Sequence, residues 1–250
     1  SCSFRAPART PLYFQLIDKD GCCIQTMRSW STLQPGEING CVGCHEHPHQ
    51  AGVDNAQAIA LKRAPQKLKS PLPGGDAHPF LAALEKEGPL ASLDNWMGLN
   101  RTKAVVDNTD QNDGFSFTRL IQPILDAKCI ACHNGSGDKA PAAMDLRGTR
   151  GQLPPSDDQS KRKYSTAYLS LTYKGQCNEK INFAHGLGFA PFKPPYAFGA
   201  ARSSVWQMLA KGHHEVRLTD AELRTFACWI DLAVPFCGSY VERHDWNDWY

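Results

Sequence analysis

Between residues 11 and 30 the chain has β character. LYFQLID alternates and is rich in β-forming side chains, KDG supplies a turn, and CCIQTMRSW returns. That is the pattern of a hairpin. Adjacent Cys22 and Cys23 should point to opposite faces of the ribbon, so at most one is expected to reach a core. Beyond it, STLQPGEING is a loop carrying Pro35, Gly36 and Gly40, and residues 55–69 have a short helical pattern interrupted at Pro65. Residues 70–80 are rich in Pro and Gly. HPFLAALEKEG predicts a short helix ended by Gly88. The polar run TDQNDG at 109–114 marks a break between two lobes.

After the break the periodicity changes to that of a helix. In SFTRLIQPILDAKCIACH, Phe117, Leu120, Ile121, Ile124 and Leu125 form one apolar stripe. Ser116 is placed to cap it, and Pro123 should kink or restart it. Residues 134–200 read as loop, with PFKPPYAFG as a stiff segment. SSVWQMLAKG predicts a helix closed by Gly212. Thr219 and Glu222 spell a capping box before LRTFACWIDL. Trp206, Phe226 and Trp229 are expected in a core or in the walls of a cofactor pocket. The aromatic tail HDWNDWY is expected to pack against this lobe.

Composition narrows the classes. The chain has 250 residues, 42% hydrophobic and 21% charged, with a net charge of +2. That is enough apolar content for a core. No basic run tracks along a face, which argues against nucleic acid, and no apolar run approaches the ~18 residues of a membrane span. The opening SCSFRAPARTPLYFQLID has no signal-peptide pattern and reads as the interior of a folded region. The chain is therefore expected to be a processed or excised piece of something longer.

Ten cysteines are many for this length. Cys2, Cys22, Cys23, Cys177, Cys228 and Cys237 are an even set that suits disulfides in an oxidising compartment, and buried thiols are the alternative. The other four lie in Cys41-Val-Gly-Cys44-His45 and Cys129-Ile-Ala-Cys132-His133. This is the attachment pattern of c-type haem. Two thiols add across the haem vinyl groups, and the next residue is an imidazole that can reach the iron. Paired CxxC units also bind zinc, but zinc ribbons separate them by about 15–20 residues. Here residues 45–128 intervene. Neither motif sits in the βαβ context of a thioredoxin-like site. Two covalently bound haem c groups are the expected cofactors.

Four blocks, MRSWSTLQPGEINGCVGCHE, FSFTRLIQPILDAKCIACH, PPYAFGAARSSVWQMLAKGH and LTDAELRTFACWIDLAVPF, resemble the diheme C-terminal region of the hydrazine synthase α-subunit family. These are multidomain bacterial cytochrome c proteins in which a β-propeller usually precedes this region. The resemblance implies that His213, in the KGH block, is the distal ligand of the second haem opposite His133. His214 and Met208 are the neighbouring contenders. For the first haem, the resemblance brings a departure. The family's catalytic centre has a motif histidine that binds zinc and a tyrosine four residues later on the iron. The corresponding position here is His49. Two arrangements stay open: His45 as the ordinary proximal ligand, favoured because it adjoins Cys44, or His49 on the iron with His45 in a metal or hydrogen-bond network. Distal candidates are His49, His47, His78 and His185. Arg28, Trp30 and the turn at Pro35 and Gly36 are expected to frame this haem, with Arg28 either pairing a propionate or lying on the surface.

The expected fold is mainly α with long loops: a β segment over 1–30, a first cytochrome c-like haem lobe over 31–112 and a second over 113–250. The expected function is electron transfer by a diheme cytochrome rather than catalysis. The alternative is an oxidoreductase acting on a small nitrogen compound or peroxide at an open first haem, with the second haem as relay. A structural module stapled by zinc is a third reading. The expected compartment is periplasmic or extracellular. The expected partner is a redox protein, either another cytochrome or an upstream β-propeller domain.

Overall fold

A computed structural model describes residues 2–6, 8–9, 12–27, 30–40, 59–66, 114–152, 163–173, 194–238 and 240–247. The hairpin forms where the alternation places it. Strand β1 (Gln15–Ile17) pairs antiparallel with β2 (Cys23–Thr26), in the register Gln15↔Thr26, with a bulge between Leu16 and Ile17. Its turn is chemically specified. The Asp18 carboxylate accepts the backbone N–H groups of Asp20 and Cys22, each at 2.9 Å, and Gly21 takes φ 90°, a value that glycine adopts without a Cβ clash. Outside the hairpin this region is held by isolated bridges, Leu12↔Ser31, Ala8↔Leu33 and Phe4↔Gln66.

Cys22 and Cys23 depart from expectation. Both are buried. Cys22 joins the main core. Cys23, on the other face, lies in a small crevice walled by Pro194, Ala197, Phe198 and Gly199. Tyr196 N–H donates to Ile24 O at 2.9 Å across this second face. The loop thus buries a ribbon face that alternation alone assigns to solvent.

The apolar stripe after residue 114 becomes two short helices, α1 (Phe117–Leu120) and α2 (Gln122–Lys128). Ser116 Oγ accepts Arg119 N–H at 3.2 Å and caps the first. Pro123 sits in the first turn of α2, where its missing N–H is harmless, so it restarts the helix. The stretch expected to be loop holds three further elements. Strands β3 (Arg150–Gln152) and β4 (Lys163–Ser165) pair antiparallel, and α3 (Thr166–Thr172) follows with Ser165 as its cap. Then come a 3-10 turn (Ala200–Arg202), α4 (Ser204–Lys211) ended by Gly212, α5 (Asp220–Asp231) with its capping box intact, and α6 (Tyr240–Asn247).

The second half of α5 is the centre of the molecule. Residues 225–231 are all buried. A helix buried on every side must be wrapped, and α1, α2, α3, α4 and the loop after α5 supply the wrapping. Trp229 and Phe117 are fully buried with ring centres 5.2 Å apart. Tyr168 meets Phe117 edge-on at 5.3 Å. Each such side chain stabilises the fold by about 3 kcal/mol through burial. The described part of the aromatic tail packs against this lobe as expected: Trp246 meets Phe236 at 4.8 Å.

The mainly α fold of two cytochrome c-like lobes is not what forms. Among the described residues the longest α-helix has 12 residues and the others 4 to 8. Two separate two-stranded ribbons accompany them among the described residues. The sequence explains this. With 20 glycines and 17 prolines, the sequence interrupts helical runs often. Among the described residues no helix is long and apolar enough to cross a membrane.

Candidate functional site

The site is built where α2 stops. Cys129 is the C-cap of α2, and the chain continues in a tight turn: Cys132 N–H and His133 N–H both donate to Cys129 O, at 3.1 and 2.9 Å. The CxxCH spacing thus becomes one helical turn followed directly by the imidazole. Cys129 is half-buried, and that burial pushes its thiol up to about 11, against the opposing pull of the neighbouring Lys128 ammonium. Cys132 is exposed.

His133 is oriented from behind. Its Nδ1 lies 3.2 Å from Met144 O, and its own carbonyl accepts Leu146 N–H at 2.9 Å. A carbonyl can only accept, so Nδ1 carries the proton and Nε2 is left with a free lone pair. Metal-bound histidines are held in this way.

His213 approaches from the other side of the sequence. Gly212 ends α4 at φ 90°, and the chain then makes a tight reversal in which His213 and Val216 exchange backbone bonds at 3.2 and 3.0 Å. Arg217 Nη1 donates to His214 O and Val216 O, at 3.1 and 3.0 Å, tying the reversal. The ring centres of His133 and His213 are 6.0 Å apart, with planes 34° from parallel. Burial, then the neighbouring His214 and His133, hold His213 below the usual histidine value, which favours the neutral imidazole.

That separation has a chemical meaning. A metal–imidazole nitrogen bond is about 2 Å long, and the ring centre lies about 1 Å further back, so two imidazoles on opposite sides of one ion have centres about 6 Å apart. Ile130, Met144, Leu209 and Leu218 are partly buried apolar side chains against the core in these same segments. The residues present fit a haem that would be tethered at Cys129 and Cys132, with its iron between the two imidazoles. Among the described residues, no three His, Cys, Asp or Glu side chains gather as a metal cluster.

The other candidates divide. His214 is exposed at φ 50°, its ring 4.4 Å from that of His213, and Met208 is exposed on α4. Phe226 and Trp229 lie in the core, and Trp206 is partly buried with its indole N–H on Leu223 O at 3.1 Å. Trp30 is exposed, while Glu37 closes the turn at Pro35 and Gly36 by accepting Gln34 N–H at 2.7 Å. Cys41, Cys44, His45, His47, His49, His78, His185, Arg28 and Cys177 fall outside the described residues. Among the described residues Cys2, Cys22, Cys23, Cys228 and Cys237 are unbonded thiols. Burial is the leading cause that pushes Cys22, Cys23 and Cys228 up to about 12.

One contributor had no sequence signal. Lys128, the residue before Cys129, donates to Glu222 Oε2 at 2.6 Å and to Arg217 O at 3.0 Å. The capping box identified Glu222 as a helix start. Nothing local to the sequence shows that it also reaches α2.

Comparison with known proteins supports the resemblance drawn from the four blocks. Residues 1–46 match the hydrazine synthase alpha subunit middle domain, a span that includes the first CxxCH motif. Hydrazine synthase subunit alpha from Kuenenia stuttgartiensis is 28% identical over 257 aligned residues, which cover 90% of this chain and 30% of that protein. The chain thus spans less than a third of the length of the relative it matches. No solved structure matches.

Proposed function

We propose that the chain is a c-type cytochrome segment carrying two covalent haems, at Cys41 and Cys44 and at Cys129 and Cys132, and that its second centre transfers electrons between His133 and His213 as axial ligands. The observation that carries this reading is the 6.0 Å separation of two imidazole rings from segments 80 residues apart in sequence, one of them following directly on a CxxCH turn. Haem supplies one-electron redox chemistry when bound. The chain's own residues do the rest. The thiols of Cys129 and Cys132 would add across the vinyl groups as thioethers, each thiol proton passing to the neighbouring vinyl carbon. Met144 O fixes the His133 tautomer. The reversal at 213–216 holds His213, which with His133 would hold the group from its two sides and so favour electron transfer over substrate binding. The compartment is periplasmic or extracellular, where such attachment takes place, and the partner is a redox protein or an upstream domain of the same polypeptide.

The similarity to hydrazine synthase subunit alpha favours a second reading, in which a first haem at Cys41 and Cys44 is open and acts on a small nitrogen compound or peroxide. His49 then stands where the family places its tyrosine ligand, and His45 is the competing ligand. The second centre serves as relay in either case.

Intact mass spectrometry of the denatured chain tests the common part. Two added porphyrins are expected, and the bare polypeptide mass overturns it. Absorption and EPR spectra separate the two readings. Ferric haem that is wholly low-spin and indifferent to cyanide, and that stays indifferent to CO once reduced, excludes the enzyme. A high-spin fraction that binds them supports it.

A further inference from the structure

The segment bearing His133 and the segment bearing His213 are joined by one side chain. Lys128 is the last residue of α2, immediately before Cys129. Its ammonium lies 2.6 Å from Glu222 Oε2 and 3.0 Å from Arg217 O. The same Glu222 oxygen accepts Thr219 N–H at 2.7 Å and Thr219 Oγ1–H at 2.9 Å, so it is anchored to the start of α5. Arg217 in turn ties the reversal that presents His213. The Lys128 and Glu222 side chains are 27% and 23% exposed, so the pair is mostly covered. A partly covered ion pair, strengthened by added hydrogen bonds and anchored at both ends, holds its geometry in a way that a solvated surface pair does not.

We propose that Lys128 is a positioning residue of the second centre. It fixes the span between His133 and His213, and thereby keeps His213 bound in the axial position. The inference rests on the reading above, that the two histidines share one haem iron. Lys128 itself touches neither the iron nor a substrate. It acts through Glu222 and the Arg217 carbonyl.

The pair also carries opposite charges, and this separates positioning from electrostatics. Removing the cation with Lys128→Met and removing the anion with Glu222→Gln change the local charge in opposite senses. A purely electrostatic role moves the midpoint potential of the second haem in opposite directions and leaves the ligands in place. A positioning role loosens His213 in both variants. Glutamine still serves at the third position of a capping box, so Glu222→Gln spares the start of α5.

The experiment uses the full chain with its haems. Wild type is measured first. Absence of porphyrin adducts, or of a low-spin signal removed by His213→Ala, overturns the bis-histidine reading, whatever Lys128 does. With that signal present, CO is added to the reduced protein, and binding beyond the wild-type amplitude is recorded. At least tenfold more CO-reactive second haem is expected in both Lys128→Met and Glu222→Gln, with Lys128→Arg within twofold of wild type. Wild-type CO binding in both Lys128→Met and Glu222→Gln overturns the proposal. If either fails to fold, the other still decides.

Discussion

Asp231, near the end of the central helix, accepts the backbone N–H of Cys23 at 2.8 Å across 208 residues of chain. Its other oxygen accepts Ala200 N–H, also at 2.8 Å. Gln15 Nε2 donates to the Asp231 carbonyl at 2.9 Å. Gly199 is required beside it, because a Cβ there would collide with the carboxylate at φ 82°. One buried acid thus joins the N-terminal hairpin, the 194–200 loop and α5.

Burial pushes Asp231 up to about 6, against the pull of its two backbone donors, with Asp18 adding a further upward push. Cys22, Cys23, Cys228 and Tyr13 are the other titrating groups electrostatically linked to it. The folded value lies above the unfolded one, so the folded state holds its proton more tightly. Stability from this group is therefore fully present below about pH 4 and declines as pH rises towards 6, by about 3 kcal/mol for a two-unit shift. Urea midpoints across pH 4–7 should show this decline in wild type and lose it in Asp231→Asn. Asp231→Ala strands both backbone donors and should cost about 3 kcal/mol at pH 7. Equal slopes in wild type and Asp231→Asn contradict the assignment.

Glu242 makes a second long-range tie. Its carboxylate accepts from Ser116 Oγ at 2.6 Å, from Thr118 Oγ1, and from Gly238 N–H at 2.7 Å, with Arg119 at 3.9 Å. It therefore fastens the C-terminal helix to the start of α1. Glu242→Ala should destabilise by about 2 kcal/mol, since the buried Ser116 hydroxyl and the half-buried Thr118 hydroxyl lose a charged acceptor. Hydrogen exchange should quicken in α1 and α6 together. Faster exchange in α6 alone shows that the tie does not carry load across the interface.

These ties mark what local sequence can and cannot show. The hairpin was legible from its alternation and from the turn signal of Lys19, Asp20 and Gly21, while the role of the Asp18 carboxylate in that turn was not. The α1–α2 break was legible from Pro123, and α5 from Thr219 and Glu222. Strands β3 and β4 were not, because RGQ and KYS are too short to show alternation. Helix α6 was not, because YVERHDWN carries no apolar stripe of its own. At the site, Cys129, Cys132 and His133 follow from spacing alone. The approach of His213, and the reach of Lys128 to Glu222, depend on tertiary packing that no window of sequence contains. The helical proportion was overestimated for a related reason: motif chemistry specifies ligands, not the architecture that holds them.

Gly212 should be intolerant of any side chain. It takes φ 90°, and a Cβ there would push aside the Arg217 guanidinium that ties the reversal. A left-handed position costs a non-glycine residue about 1–2 kcal/mol before any clash. Gly212→Ala should lower stability by at least that amount and raise CO binding at the second haem, because the reversal beginning at His213 is displaced. Full stability with unchanged spectra contradicts this role.

The adjacent histidines offer the sharpest test of the ligand assignment. His213 is half-buried, faces His133 across 6.0 Å, and is pinned by Val216 on both backbone groups. His214 is exposed and held at φ 50°, where a Cβ is strained. His214→Gly relieves that strain and should leave a low-spin haem, with stability raised by up to about 1 kcal/mol once the greater freedom of unfolded glycine is counted. His213→Gly should instead open the position, giving a high-spin, CO-binding second haem, and millimolar imidazole should restore the low-spin spectrum by entering the space left behind. If His214→Gly produces the high-spin form and His213→Gly does not, the ligand is His214. The 213–216 reversal must then turn over to present it.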